Sequence, residues 1–267
     1  MLSPFVLGLL ARAAVSASVV VTATVVAEAS GPFWGGLIVS LPIGAGPAYA
    51  MLALQHDAAF IAASALGSFA SNAATFVLLA VVALLAPRVH WGWAMAGAIC
   101  AWVLSVSVIR QVAWDVPGAC VLNLVVVLVC LALTRSVPPG TEPPRGPIRR
   151  RWFELPMRAA LVGLMVGGVV TGSRALGPTL TGMAAVFPVA FTSFAFLVLP
   201  RAGGTVGAAI MVSALRAMPG FALALLTLHL AAVPLGVGAA LAVALLPSLG
   251  WSVMLMVGRG RRRLRVA

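Results

Sequence analysis

Arg216 stands in the run MVSALRAMPGF, thirteen residues into an otherwise uncharged apolar stretch. A guanidinium near the centre of a bilayer costs at least ~2.5 kcal/mol on insertion scales. No acid lies in the middle of an apolar stretch to pair with it. Two arrangements meet that cost: bonds to backbone carbonyls, or a wet cavity where the cation receives an anion. The matching place in the first half of the chain is SFASNAAT. There Ser68, Ser71, Asn72 and Thr75 recur at three- and four-residue spacing, so they share one helix face. Such a stripe either lines a pocket or makes interhelical hydrogen bonds, each worth ~0.6 kcal/mol on average.

A third source of chemistry is backbone. Residues 31–47 read GPFWGGLIVSLPIGAGP, with five glycines and three prolines in an apolar run. Pro32 suits the first turn of a helix, where its missing N–H costs nothing. Pro42 falls near mid-membrane, removes a helical hydrogen bond and kinks the helix. Gly44, Gly46 and Pro47 follow at once, which predicts unwinding. Unwound backbone in lipid is tolerated only against protein or a wet cavity. Freed amides there bind an anion and freed carbonyls a cation. Tight packing of small residues is the competing explanation for the same glycines.

The elements that must hold these groups follow from composition. Of 267 residues, 62% are hydrophobic and 8% charged, and the mean hydropathy is +1.13. A soluble domain carries about 25% charged residues, so this chain cannot cover a water-facing surface. The apolar runs last twenty residues or more without strict alternation, which favours helices over an outer-membrane barrel. The expected fold is an all-α polytopic membrane protein. Nine helical segments are predicted, roughly 4–27, 33–55, 58–86, 91–112, 116–136, 155–176, 179–200, 203–231 and 234–257. The third and eighth are long enough to be either tilted or broken, the eighth at Met218-Pro219-Gly220. The apolar N-terminus lacks the basic region of a signal peptide and is read as the first span.

The net charge of +12 comes from 17 arginines against five acids. A basic balance often points to nucleic acid, but these arginines cluster beside spans, so no nucleic-acid partner is expected. The 138–154 loop holds Arg145, Arg149, Arg150 and Arg151, and the 259–267 tail holds five more. Four predicted spans separate loop and tail, so both fall on one side, the cytoplasm by the positive-inside rule. The N-terminus then lies outside a bacterial-type inner (plasma) membrane. The same arginines suit anionic lipid headgroups at ~1 kcal/mol each.

Shifted by 146 residues, the 31–47 stretch meets GPTLTGMAAVFPVAFTS without gaps. Gly31 meets Gly177, Pro32 meets Pro178, and Pro42 meets Pro188. Upstream, Arg12-Ala13-Ala14 meets Arg158-Ala159-Ala160. Five predicted spans separate the copies, so they point opposite ways: an inverted-topology repeat of five plus four spans, with helices 2 and 7 broken. Residues 1–137 form the first repeat and 155–258 the second. Arg12 then faces outward and Arg158 the cytoplasm, guarding two mouths or serving as flanking charges. Glu28 and Arg174, also matched, and His56, Asp57, His90, Asp115 and His229 fall at predicted span ends, where interface solvation accounts for them.

No HExxH, GxSxG, P-loop or zinc pattern is present. Cys100, Cys120 and Cys130 form no CxxC pair. Neither enzymatic activity, a metal nor a cofactor is expected, and without a mid-membrane carboxylate a proton relay is disfavoured. Inverted repeats are a recurring plan of secondary transporters. The expected function is a transporter or exporter of a small anionic or amphipathic solute. The alternatives are a translocase of a phosphate-bearing lipid and a non-transporting membrane subunit.

Overall fold

The computed structural model describes residue 18 and residues 45–137 and 154–264. Within them the chain forms eight helices and no strand: α1 (Ala45–Ala53), α2 (Ala58–Leu85), α3 (Trp91–Ile109), α4 (Val116–Thr134), α5 (Glu154–Ala185), α6 (Val189–Ala202), α7 (Gly204–Leu235) and α8 (Val237–Leu264). Six of them are long and apolar enough to cross a membrane. The chain is a multi-pass helical membrane protein. The 4–27 segment, the first part of 33–55 and nearly all of the 138–154 loop lie outside the described residues.

Local chemistry accounts for the helix starts. Asp57 Oδ1 accepts from the Phe60 amide at 2.8 Å, and Asp115 Oδ1 from the Gly118 amide at 2.9 Å. His90 Nδ1 accepts from the Gly92 amide at 3.2 Å. Each side chain satisfies an amide that a helix start leaves unpaired. These three residues are therefore caps as well as interface groups. Pro47 lies within α1, whose described part opens at Ala45.

The interruptions fall where the second copy of the motif places them. α5 turns at Gly177, whose φ of 71° suits only glycine, and Pro178 opens the short stretch 178–185. That stretch ends before Phe187, and Pro188 caps α6. The expected segment 179–200 is therefore two half-helices broken at Pro188. Pro219 does not break its helix, contrary to expectation: α7 runs through it from Gly204 to Leu235. The carbonyl that the missing Pro219 N–H leaves without its helical donor is that of Leu215. The neighbouring Arg216 carbonyl accepts from Trp251 Nε1 at 2.9 Å, a bond that ties α8 to α7. α2 is likewise continuous.

α2 is the central helix, touching α3, α4, α5 and α7, and it is buried along most of its length. α3 and α4 are exposed along most of theirs and carry bare Leu104, Val108, Val121 and Leu128, as a lipid-facing layer requires. α2 and α7 pack against each other in antiparallel fashion. Gly204, which opens α7, leaves no room for a Cβ beside the Ala86 carbonyl at the end of α2. His229, near the end of α7, bonds the Ala62 carbonyl near the start of α2 through Nδ1 at 2.8 Å. His229 thus bridges two helices in addition to sitting at a span end.

Candidate functional site

The site builds outward from α2. Ser64, Ser68, Ser71, Asn72 and Thr75 are all fully buried. The upper part of the stripe is a packing surface. A Cβ on Gly182 would run into the Ser64 carbonyl, and one on Gly67 would come within 2.6 Å of the Thr179 oxygen. The backbones of α2 and stretch 178–185 therefore touch, which only small residues permit. At this crossing Ser68 Oγ donates to the Gly182 carbonyl at 2.6 Å. With its single proton used there, Ser68 accepts from the Tyr49 hydroxyl, also at 2.6 Å. One relay of hydroxyls ties α1, α2 and the half-helix together.

Lower on α2 the pattern differs. Asn72 Nδ2 donates to Asn123 Oδ1 on α4 at 3.2 Å. Asn123 Nδ2 donates in turn to the carbonyls of Phe69, at 2.8 Å, and Ala119, at 2.9 Å. Ser64 Oγ, Ser71 Oγ, Asn72 Oδ1 and Thr75 Oγ1 are buried with no hydrogen-bond partner, as is Trp102 Nε1 on α3. Trp102 meets Phe187, at the helix break, edge-on at 4.9 Å.

A partly open cleft of about 260 Å³ lies between α1, α7 and α8. Its walls include Gly46 and Tyr49 from α1, Phe221 and Leu228 from α7, and Leu241 and Leu245 from α8. It is apolar. Gly46 is open to it, with nothing within 4 Å of where a Cβ would stand. Tyr49 joins cleft and stripe, its side chain on the wall and its hydroxyl on Ser68. Arg216 is exposed at mid-helix on α7 and is not part of the cleft wall. Among the described residues its guanidinium has no hydrogen-bond or ionic partner, while its carbonyl holds Trp251. Arg216 is thus separate from the cleft and the stripe, which meet at Tyr49. Arg158 belongs to α5 by its backbone. Arg12, Gly44, Pro32 and Pro42 lie outside the described residues.

Beyond the cleft, His56 joins the α1–α2 junction to α5. Its Nε2 meets Ser173 Oγ at 2.7 Å, and its ring stacks on Phe60 at 3.7 Å. Burial, then the nearby Arg174 cation, hold its pKa below the ordinary histidine value, with Asp57 opposing.

Two contributors escaped the sequence reading. Asn123 is the lone amide in VPGACVLNLVVVLVC, one of the most apolar stretches of the chain, and that isolation was the available signal. Tyr49 is the single tyrosine of the chain, and nothing in its neighbours marks its hydroxyl for Ser68. Comparison of the chain with protein-family models, with curated proteins and with solved structures returns no match.

Proposed function

We propose that this chain is a secondary-type carrier in which two inverted halves rock against each other to move a small amphipathic anion. The observation that carries the proposal is the register of the helices. α2 and α7 begin at Ala58 and Gly204, and α3 and α8 at Trp91 and Val237, each pair at the 146-residue offset of the sequence repeat. α2 and α7 are antiparallel. This supports two related halves of opposite direction, the plan that lets one site open alternately to either side. The basic loop and tail then lie in the cytoplasm of a bacterial-type inner membrane, and the N-terminus outside.

The apolar cleft receives the apolar part of the cargo. Arg216, five residues from Phe221 but ~140° around α7 and outside the cleft wall, is the cation proposed to meet its acidic end as the halves rock. A translocase of a phosphate-bearing lipid is the second reading. The apolar lining of a partly open cleft favours it, since an acyl chain fits such a wall. No catalytic role is proposed for any residue.

The test is transport in proteoliposomes that offer an amphipathic carboxylate in one arm and a fluorescent phospholipid in the other. Wild type should carry the carboxylate, and Arg216→Ala should lose tenfold or more of that rate. Scrambling of the phospholipid alone would select the second reading. A wild-type protein that moves neither would leave the non-transporting subunit.

A further inference from the structure

We infer that Ser71, Asn72 and Thr75 on α2 form a binding site for a small monovalent cation, sodium in physiological salt. The inference deepens the carrier reading by naming its coupling ion, and rests on that reading only for the word coupling.

Helix hydroxyls elsewhere in this fold turn to their own backbone. Thr134 donates to the Cys130 carbonyl at 2.7 Å, Thr192 to Pro188 at 3.0 Å, Thr227 to Leu223 at 2.8 Å and Ser252 to Ser248 at 3.0 Å. That back-bond is the default for a hydroxyl without another partner in an apolar helix. Ser71 and Thr75 do not make it, although both are fully buried. A buried hydroxyl without a partner is left with its desolvation cost uncompensated. Two such groups one turn apart on one helix, beside an unpaired amide oxygen, call for a ligand that satisfies all three.

The amide decides the sign of that ligand. Asn123 Nδ2 faces two carbonyls, so Asn123 Oδ1 is the atom turned to Asn72. Asn72 must then offer Nδ2 to Asn123, which leaves Oδ1 as the free atom. Oδ1 can only accept. Ser71 lies four residues before Thr75 and Asn72 three before it, so each has its Cβ ~5–6 Å from that of Thr75. The two hydroxyls can accept as well as donate, and the amide oxygen only accepts, so the ligand that all three can meet as oxygens is a hard cation. No acid accompanies them: among the described residues the acids Asp57, Asp115 and Glu154 stand at helix starts. Neutral oxygens favour a single charge over a divalent ion, whose sites are built from carboxylates.

The test is equilibrium binding of radiolabelled sodium to the full chain in detergent, without any transport step. Wild type should bind sodium saturably, with choline unable to displace it, and should melt a few degrees higher in sodium than in choline at equal ionic strength. Thr75→Val and Ser71→Ala should each weaken binding about tenfold and lose the thermal shift. Ser252→Ala, at a back-bonded hydroxyl, should keep both. Absence of saturable sodium binding to wild type overturns the inference, as does binding that both α2 variants retain. Neither result bears on whether liposomes transport an anion. Conversely, sodium binding without any anion or lipid transport would remove the carrier reading and leave the cation site standing.

Discussion

Single side chains in this protein act mainly by finishing what the backbone leaves undone. Trp251 is one case: its indole N–H holds the Arg216 carbonyl and so ties α8 to α7. Trp251→Phe should lower stability in thermal unfolding by about 1 kcal/mol, the net worth of one hydrogen bond. His56 is a second case. Its folded pKa is depressed, first by burial and then by Arg174. The folded state therefore binds fewer protons than the unfolded chain once pH falls below about 6.5. Stability should be level above that value, fall as pH drops from it towards the folded pKa, and level off again below. His56→Gln should flatten the melting profile across that window while leaving the neutral-pH value largely in place.

At the scale of elements, the crossing of α2 with stretch 178–185 sets how close the two copies come. Gly182 lies on the Ser64 backbone, which cannot move without displacing the whole of α2. Gly182→Ala should destabilise by ~1–3 kcal/mol, the usual cost of overpacking a tight contact. Gly250, inside α8, has nothing within 4 Å of its Cβ position. Gly250→Ala should be neutral or slightly stabilising, because alanine is the better helix former. Equal melting temperatures for the two variants would mean that the crossing is looser than described. The breaks at Gly177 and Pro188 follow from residue type, since one needs a positive φ and the other lacks an N–H. The Arg216 carbonyl is bonded by a tryptophan 35 residues further along the chain, which no local rule can supply.

For the whole molecule, the antiparallel packing of α2 and α7 makes a prediction about sides. Leu54 and Leu235 should share one face of the membrane, and Val89 and Thr205 the other. All four are exposed. Cysteines placed there singly, in a background with Cys100, Cys120 and Cys130 replaced, should label with a membrane-impermeant reagent in two pairs. Leu54→Cys and Thr205→Cys labelling from the same side would break the inverted arrangement.

Composition and spacing determined the class of this protein. So few charges and such long apolar runs leave no solvent but lipid, and in lipid the helix is the way an isolated segment satisfies its own backbone. The breaks at Gly177-Pro178 and Pro188 were legible too, because these residue types act within a turn of where they stand. Tertiary structure decided what the polar groups do. Ser68 and Ser71 are three residues apart on one face, yet Ser68 is held by Tyr49 and Gly182 while Ser71 has no partner. Arg216 is separate from the stripe and the cleft for the same reason. A hydrogen bond needs its partner within about 3 Å, and which residue arrives there is set by packing between segments far apart in the chain.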